Sequence, residues 1–329
     1  MTNYSVVPST KKRVKKAMIL AGGLGTRFLP ETLAVAKELV PIGNKPILYI
    51  HLEELKKAGV EDVLIVGNKL KEASFKNFTA PPIEYINKLI ADNKYDLLDE
   101  YAELMGSMNV TYINQDDALQ CINGVVYENP HFDKMGSSIA ILAGKNWANG
   151  EPFVVINGDD LCVYDNGKSA SSELIEIYNH TGDNIIYGRE CPRELMYKYS
   201  SMEYGDKVAN GKGRKMKNII EKPAPGTEPS NVMGFARYVV NSDFFDRVFE
   251  VQPRPNGEWN MTDVFQRLAN EGKASTCLFK GRYFDCGSMS GYVLANLYFG
   301  LKNPDIRKQV FKGSHEILDN HQENERELD

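Results

Sequence analysis

The chain lacks any apolar run approaching the ~20 residues needed to cross a bilayer, and its N-terminus carries no apolar segment of the signal-peptide kind. It is poor in cysteine. The five are odd in number and form no C-x-x-C pair, and the five histidines are scattered without metal-ligand spacing, which argues against a disulfide framework or a zinc site. It has no excess of positive charge. A net charge of −5 speaks against general nucleic-acid binding, which asks for a basic face, but leaves room for a nucleotide held in a local cationic pocket. The one basic cluster, Lys11-Lys-Arg-Val-Lys-Lys16, reads as a solvated lead-in to the first strand. Internal repeats and low-complexity linkers are missing. What remains is ordinary globular composition, 42% hydrophobic and 25% charged over 329 residues, with ample chain to bury a core. The expectation is a cytoplasmic protein with reduced thiols and no nucleic-acid or membrane partner.

The rest is organised around Ala17-Met-Ile-Leu-Ala-Gly-Gly-Leu-Gly-Thr-Arg-Phe-Leu-Pro30. The run Ala17–Leu20 predicts a buried parallel strand. It ends in Gly22, Gly23 and Gly25, where missing Cβ atoms let a ligand approach the backbone and N–H groups turn toward it. Arg27 adds a fork-shaped cation suited to phosphate oxygens. No Gly-Lys-Ser/Thr follows, so this is not a Walker A loop. Phe28 stands where a dinucleotide fingerprint needs a third small residue.

Pro46 and Gly59 bracket a predicted helix, and Val60–Val66 a second strand, making a βαβ unit whose ligands bind at the carboxyl ends of the strands. Residues 69–106 read as helical with a break at Pro81-Pro82. Phe75, Phe78, Tyr85, Ile86, Leu89, Tyr95, Leu97, Leu98, Tyr101 and Leu104 are expected to pack as core. Further strands are expected at Asn109–Gln115 and Pro152–Asp160. The second ends in Gly158-Asp159-Asp160, and a carboxylate there is costly unless paired or metal-bound. From Ser314 the chain turns acidic and reads as a solvated tail.

The string G-x-G-T-R-F-L-P, followed by Lys37-Glu-Leu-Val-Pro41 and Lys45-Pro46, resembles the signature of the sugar-1-phosphate nucleotidyltransferases, and the likeness runs from about residue 16 to 300. It implies an α/β, Rossmann-like fold with a mixed, mostly parallel central sheet flanked by helices. A single domain over 14–312 with a helical insertion at about 69–106 and flexible termini at 1–13 and 314–329 is expected. By resemblance Ala21, Gly22, Gly23, Gly25 and Thr26 bind nucleotide, and Arg27 and Lys37 are the catalytic cations. Gln115 reads the base, and Gly136 is a backbone-approach position.

Glu221-Lys222-Pro223 resembles an E-K-P whose Glu takes sugar hydroxyls and whose Lys takes the sugar phosphate. Ser200 and Ala236 stand where the family has glycines near the sugar. Asp159 and Asp285, the latter in Tyr283-Phe-Asp-Cys-Gly287, are the implied Mg²⁺ ligands, with Asp160 an alternative to Asp159. The chain departs from the pattern by an insertion over Asp116–Asp133 and by Ser137 in place of a histidine. The branch resembled transfers a uridylyl group from UTP to glucose 1-phosphate. The alternatives are another base or sugar, such as dTTP or N-acetylglucosamine 1-phosphate, or a non-catalytic nucleotide-sugar sensor. A homo-oligomer is expected.

Overall fold

The computed structural model describes residues 12–122, 125–126 and 136–326. The first strand β1 (Lys16–Leu20) is followed by three short 3₁₀ turns, a ribbon of β2 (Pro41–Ile42) and β3 (Lys45–Pro46), helix α1 (Ile47–Lys57) and β4 (Asp62–Gly67). Helices α2 (Glu72–Thr79), α3 (Ile83–Ala91) and α4 (Asp99–Gly106) lead to β5 (Asn109–Asn114). Next come α5 (Gln115–Gln120), the pair β6 (Cys121–Ile122) and β7 (Val125–Val126), then α6 (Ser137–Leu142) and α7 (Lys145–Ala148), which deliver β8 (Phe153–Asn157). The remainder runs β9 (Asp160–Val163), α8 (Ala170–Thr181), β10 (Asn184–Glu190), β11 (Ser200–Val208), β12 (Gly213–Glu221), β13 (Val232–Val240), α9 (Asp243–Val248), α10 (Met261–Asn270), β14 (Ala274–Leu278), β15 (Arg282–Asp285), α11 (Met289–Lys302) and α12 (Arg307–Arg326).

Nine strands form one sheet in the order β10-β14-β12-β11-β13-β8-β1-β4-β5. The β8-β1-β4-β5 part is wholly parallel, while beyond β8 only β10 and β14 run parallel. The sheet is therefore mixed as expected but not mostly parallel: four of its eight neighbouring pairs are parallel and four antiparallel, because β11, β12 and β13 are joined by direct antiparallel pairing with no helical crossover between them. Because side chains alternate along a strand, Ala17 and Ile19 pack on one face with Leu48, Leu52 and Leu174, and Met18 packs on the other with Ile139, Phe245 and Phe265. Both faces of β1 are covered, as its unbroken apolar run requires.

Register places the site. Leu20 lies opposite both Val66 and Asn157, and Val66 opposite Ile113. The segments starting at Ala21, Asn68, Gln115 and Gly158 therefore all leave the sheet at one carboxyl edge.

The packing of the helical excursion departs from expectation. In the helical excursion Phe75 and Leu104 are buried, with Phe78 and Tyr101 packed beside them, but α3 buries none of its residues. Tyr85, Tyr95 and Leu97 are exposed. After the Pro81-Pro82 break α3 no longer follows the sheet edge that α2 covers, so its apolar stripe meets solvent. The acidic stretch from Ser314 is largely exposed, as a solvated tail would be, and α12 carries it in helical form to Arg326, with Val310 set against Gly300 of α11 and Lys312 pairing with Glu316 one turn on. The N-terminal stretch to Lys11, residues 123–124 and 127–133 of the insertion after Gln115, and Lys134 and Met135 lie outside the described residues. Among the described residues no helix is long and apolar enough to cross a membrane.

Candidate active site

The glycine turn is held by its carbonyls. Lys71 donates from Nζ to the Ala21 carbonyl at 3.0 Å and to the Gly23 carbonyl, and Asn68 donates from Nδ2 to the Gly22 carbonyl at 2.7 Å. In a trans peptide the N–H points opposite to the C=O. With three successive carbonyls captured from the protein side, the N–H groups of Gly22, Gly23 and Leu24 are aimed at the opening, an anion-binding arrangement. Gly25 sits at φ +73, and a Cβ there would also press on the Thr32 methyl at 2.9 Å.

Lys71 in turn is anchored to Glu38, which is wholly buried, at 2.9 and 3.1 Å. Burial pushes the Glu38 carboxyl above its usual range, although Lys71 and Lys37 pull against it; burial also draws the Lys71 ammonium downward against the pull of Glu38. The side-chain oxygen Oε1 of Gln115, which is 4% exposed, lies where it would meet a Cβ on Gly22 at 3.0 Å. Gln115 and the glycine turn thus share one wall.

Across from this turn the acidic and basic candidates converge. Lys37 pairs with Asp159 and lies 3.9 Å from Glu38. Burial alone would lower the Lys37 pKa, but Asp159 and Glu38 outweigh it and the net direction is upward, so the ammonium stays charged. Arg27 reaches Asp285 at 3.7 Å, and Asp285 accepts a hydrogen bond from the Gly287 N–H at 3.0 Å. A Cβ on Gly287 would overlap Asp159 Oδ2 and stand 3.0 Å from Arg27 Nη2. Arg27, Lys37, Asp159 and Asp285 are therefore gathered around one small space that only glycine leaves open. Among the described residues no group of three or more His, Cys, Asp or Glu surrounds a metal position. Two hard carboxylate donors beside an open cradle still fit a magnesium ion, which keeps several waters and takes further oxygens from phosphate.

A cavity of about 250 Å³ adjoins this cluster. Asp160, which follows Asp159, lies opposite Asp285 in the β9–β15 ribbon and faces the cavity together with Ser200, Glu221, Gly234 and Thr262. Asp160 accepts hydrogen bonds from Tyr283 at 2.7 Å and Asn157 at 3.0 Å. Burial first, and then the neighbouring Asp159 charge, push its carboxyl up to about 7. With Asp160 committed to these partners, Asp159 is the better-placed metal candidate of the two.

Glu221 accepts from the Thr262 hydroxyl at 2.7 Å. Ser200 is buried and donates its hydroxyl to the Gly234 carbonyl at 3.2 Å, and a Cβ on Gly234 would press on it at 2.9 Å. Ser200 and Gly234 thus exchange the roles of large and small neighbour.

The remaining candidates are less central. Lys222 is exposed, with its main-chain N–H donating to the Tyr199 carbonyl at 2.9 Å, while Lys198 lines the cavity. Thr26 is exposed beside Arg27. Ala236 lies in β13, and its side chain is outside the described residues. Gly136 packs on the backbone of Trp259, whose carbonyl a Cβ would overlap, so the protein itself demands glycine there. Sequence reasoning missed Lys71, Asn68, Lys198 and Thr262. Only Thr262 had a visible signal, in Gly257-Glu-Trp-Asn-Met-Thr-Asp263; Lys71 reads as one more surface lysine until its carbonyl partners are known.

Residues 16–299 match the family described as Nucleotidyl transferase. The chain is 31% identical over 300 residues to a UTP–glucose-1-phosphate uridylyltransferase of Staphylococcus epidermidis, covering 91% of this chain and 96% of that one. It is 31% identical over 299 residues to the protein of the same name from Bacillus subtilis, covering 91% and 95%. Among solved structures it resembles a UDP-glucose pyrophosphorylase complexed with UDP-glucose (TM-score 0.74, 28% identity, covering 88% of this chain and 100% of that one). It also resembles a UTP-bound UGPase from Acinetobacter baumannii (TM-score 0.77, 27% identity, 91% and 98%).

Proposed function

This chain belongs to the nucleotidyl transferase family and is an enzyme, and from that premise we propose that it transfers a uridylyl group from UTP to glucose 1-phosphate, releasing pyrophosphate. The observation that carries the reading is the convergence of Arg27, Lys37, Asp159 and Asp285 around the Gly287 gap, between an anion-binding glycine turn and a cavity edged by Glu221. The activity of the relatives, and the UTP and UDP-glucose bound in two structurally similar enzymes, support the choice of substrates.

The chemistry asks little covalent work of the protein. A sugar-phosphate oxygen attacks the α-phosphorus and pyrophosphate leaves. Two unit charges 4 Å apart repel by about 4 kcal/mol at an effective dielectric of about 20, so the chain's task is to hold two polyanions in line and neutralise them. The N–H groups of Gly22, Gly23 and Leu24, at the end of the Ala21–Thr26 turn, receive triphosphate oxygens. Arg27 and Lys37 supply fixed positive charge, and Gln115 offers an amide to the base, with Gly136 in the segment that closes on it. Glu221 accepts sugar hydroxyls beside Ser200 and Ala236, and Lys222, helped by Lys198, meets the sugar phosphate. Asp159 and Asp285 would hold Mg²⁺, which when bound neutralises phosphate oxygens and polarises the reacting phosphorus. The same reading takes residues 14–312 as one catalytic domain, working in the cytoplasm as a homo-oligomer.

The test is pyrophosphate release from a panel of triphosphates and sugar phosphates with and without Mg²⁺. UTP with glucose 1-phosphate should turn over fastest and only with the metal. Faster turnover of dTTP or of N-acetylglucosamine 1-phosphate would replace the substrate assignment, and UTP binding without turnover would replace catalysis by sensing.

A further inference from the structure

The Gly158-Asp159-Asp160 turn is held from beneath by a buried polar network that none of the substrate contacts requires. His51 and Arg237 are both fully buried. Arg237 stands in a β-bulge: Ile186 pairs with Tyr238 and Tyr187 with Phe235, leaving Ala236 and Arg237 without partners in that register. Its φ of 108 is in the region that disfavours side chains, a strain that persists only where the surroundings over-determine it. The bulge turns the guanidinium inward toward α1. There Arg237 donates from Nε and Nη2 to Glu54 at 3.1 and 2.8 Å, from Nη1 to the Asp160 carbonyl at 3.1 Å, and from Nη2 to His51 Nδ1 at 3.2 Å.

The other nitrogen of His51 lies 3.2 Å from the Gly158 carbonyl. Arginine only donates and a carbonyl only accepts, so one tautomer serves both contacts: neutral imidazole with its proton on Nε2. Burial, then the Arg237 charge, hold the ring neutral by lowering its pKa to about 3. Glu54 is itself fixed by the Ser171 N–H at 3.0 Å and hydroxyl at 2.6 Å at the start of α8. The middle carbonyl of the turn, that of Asp159, accepts from the Cys286 N–H at 2.9 Å. Every carbonyl of the three residues is thus claimed, which fixes the turn's peptide planes and with them the direction of the Asp159 Cα–Cβ bond, and the carboxylate it carries lies against Lys37 and the Gly287 gap.

We propose that His51 and Arg237, locked by Glu54, are positioning residues that aim the Asp159 carboxylate at the divalent-cation site. The proposal rests on the reading of Asp159 as a metal ligand. It is tested by electron paramagnetic resonance of Mn²⁺ binding to the UDP-glucose-saturated enzyme, with steady-state kinetics alongside, in His51→Leu, His51→Gln and Asp159→Ala. His51→Leu, losing the hydrogen bond to the Gly158 carbonyl and the one accepted from Arg237, should weaken Mn²⁺ binding and kcat by about tenfold, with KM for glucose 1-phosphate within about twofold. His51→Gln keeps an amide N–H for the Gly158 carbonyl and should recover most of both, a rescue that loss of packing alone would not give. A folded His51→Leu enzyme that binds Mn²⁺ like the wild type, while Asp159→Ala does not bind it, overturns the proposal. Wild-type Mn²⁺ binding by Asp159→Ala overturns the metal assignment beneath it. Should His51→Leu fail to fold, Arg237→Lys, whose single ammonium cannot serve Glu54, His51 and the Asp160 carbonyl together, is read by the same criteria.

Discussion

The Ala21–Gly25 and Gly158–Asp160 turns leave neighbouring parallel strands at the same edge, and both are pinned through their backbone carbonyls. They differ in what pinning exposes. At the glycine turn, Lys71 and Asn68 take the carbonyls and the N–H groups are left to face a ligand. At the aspartate turn, His51, Cys286 and Arg237 take the carbonyls, and what faces the ligand is a carboxylate. The cationic clamps also differ in depth. Arg237 is completely buried and its partner Glu54 nearly so, whereas Lys71 keeps a sliver of exposure above a buried Glu38. A buried ion pair is a doubtful source of net stability, but removing one partner is costly because the other is stranded. Each turn is therefore protected by a charge that is expensive to orphan, and Lys37 bridges the two, its Nζ near Gly23 and paired with Asp159.

The largest effect is expected from Lys71→Met. It strands Glu38 and should cost about 3–5 kcal/mol in urea denaturation, and the double variant Glu38→Gln/Lys71→Met should regain a good part of that stability without restoring triphosphate affinity. Next, Lys37→Ala should lower turnover by about a hundredfold or more, as loss of a preorganised charge does, with a smaller loss of stability in urea than Lys71→Met, because the Asp159 it strands keeps some exposure to water. Equal losses of stability in both variants would erase the distinction between a clamp and a ligand-facing cation. Gly25→Ala tests the glycine turn alone. A side chain at φ +73, pressed on Thr32, should cost about 1–2 kcal/mol and raise KM for UTP more than KM for glucose 1-phosphate.

The remaining effect is on pH dependence and is spread over several pH units. His51 is protonated in the unfolded chain below about 6.5 but stays neutral in the fold down to about 3. Between those values the unfolded state binds one more proton, so stability rises with pH by about 1.4 kcal/mol per unit from this residue. His51→Leu should remove that much upward slope between pH 4 and 6, read by urea unfolding at several pH values. An unchanged slope would mean that His51 is not held neutral against Arg237.

Much of the site was legible because its parts are local. The apolar run Ala17–Leu20, the glycines after it, and Gly158-Asp159-Asp160 at the end of another apolar run each announce a strand tip, and parallel register brings strand tips together. The helical excursion was legible as helix but not as to burial. Periodicity reports that α3 has an apolar stripe, not whether anything lies against it, and Tyr85 and Leu97 meet solvent. The stretch after Ser314 was legible in the other respect: acidic composition marked it as solvated, but composition alone does not separate an exposed helix such as α12 from an exposed coil.

The chain's own order of residues determined which groups would stand at the carboxyl edge and what chemistry they carry, because motif spacing and strand periodicity act over a few residues. Tertiary structure alone decided which side of each turn faces the ligand. That depends on donors 46 to 127 positions away, counting from Asn68 to Gly22 and from Cys286 to Asp159. Hydrogen bonds over such separations form only once helices and sheet have packed, so no local pattern in the sequence records them.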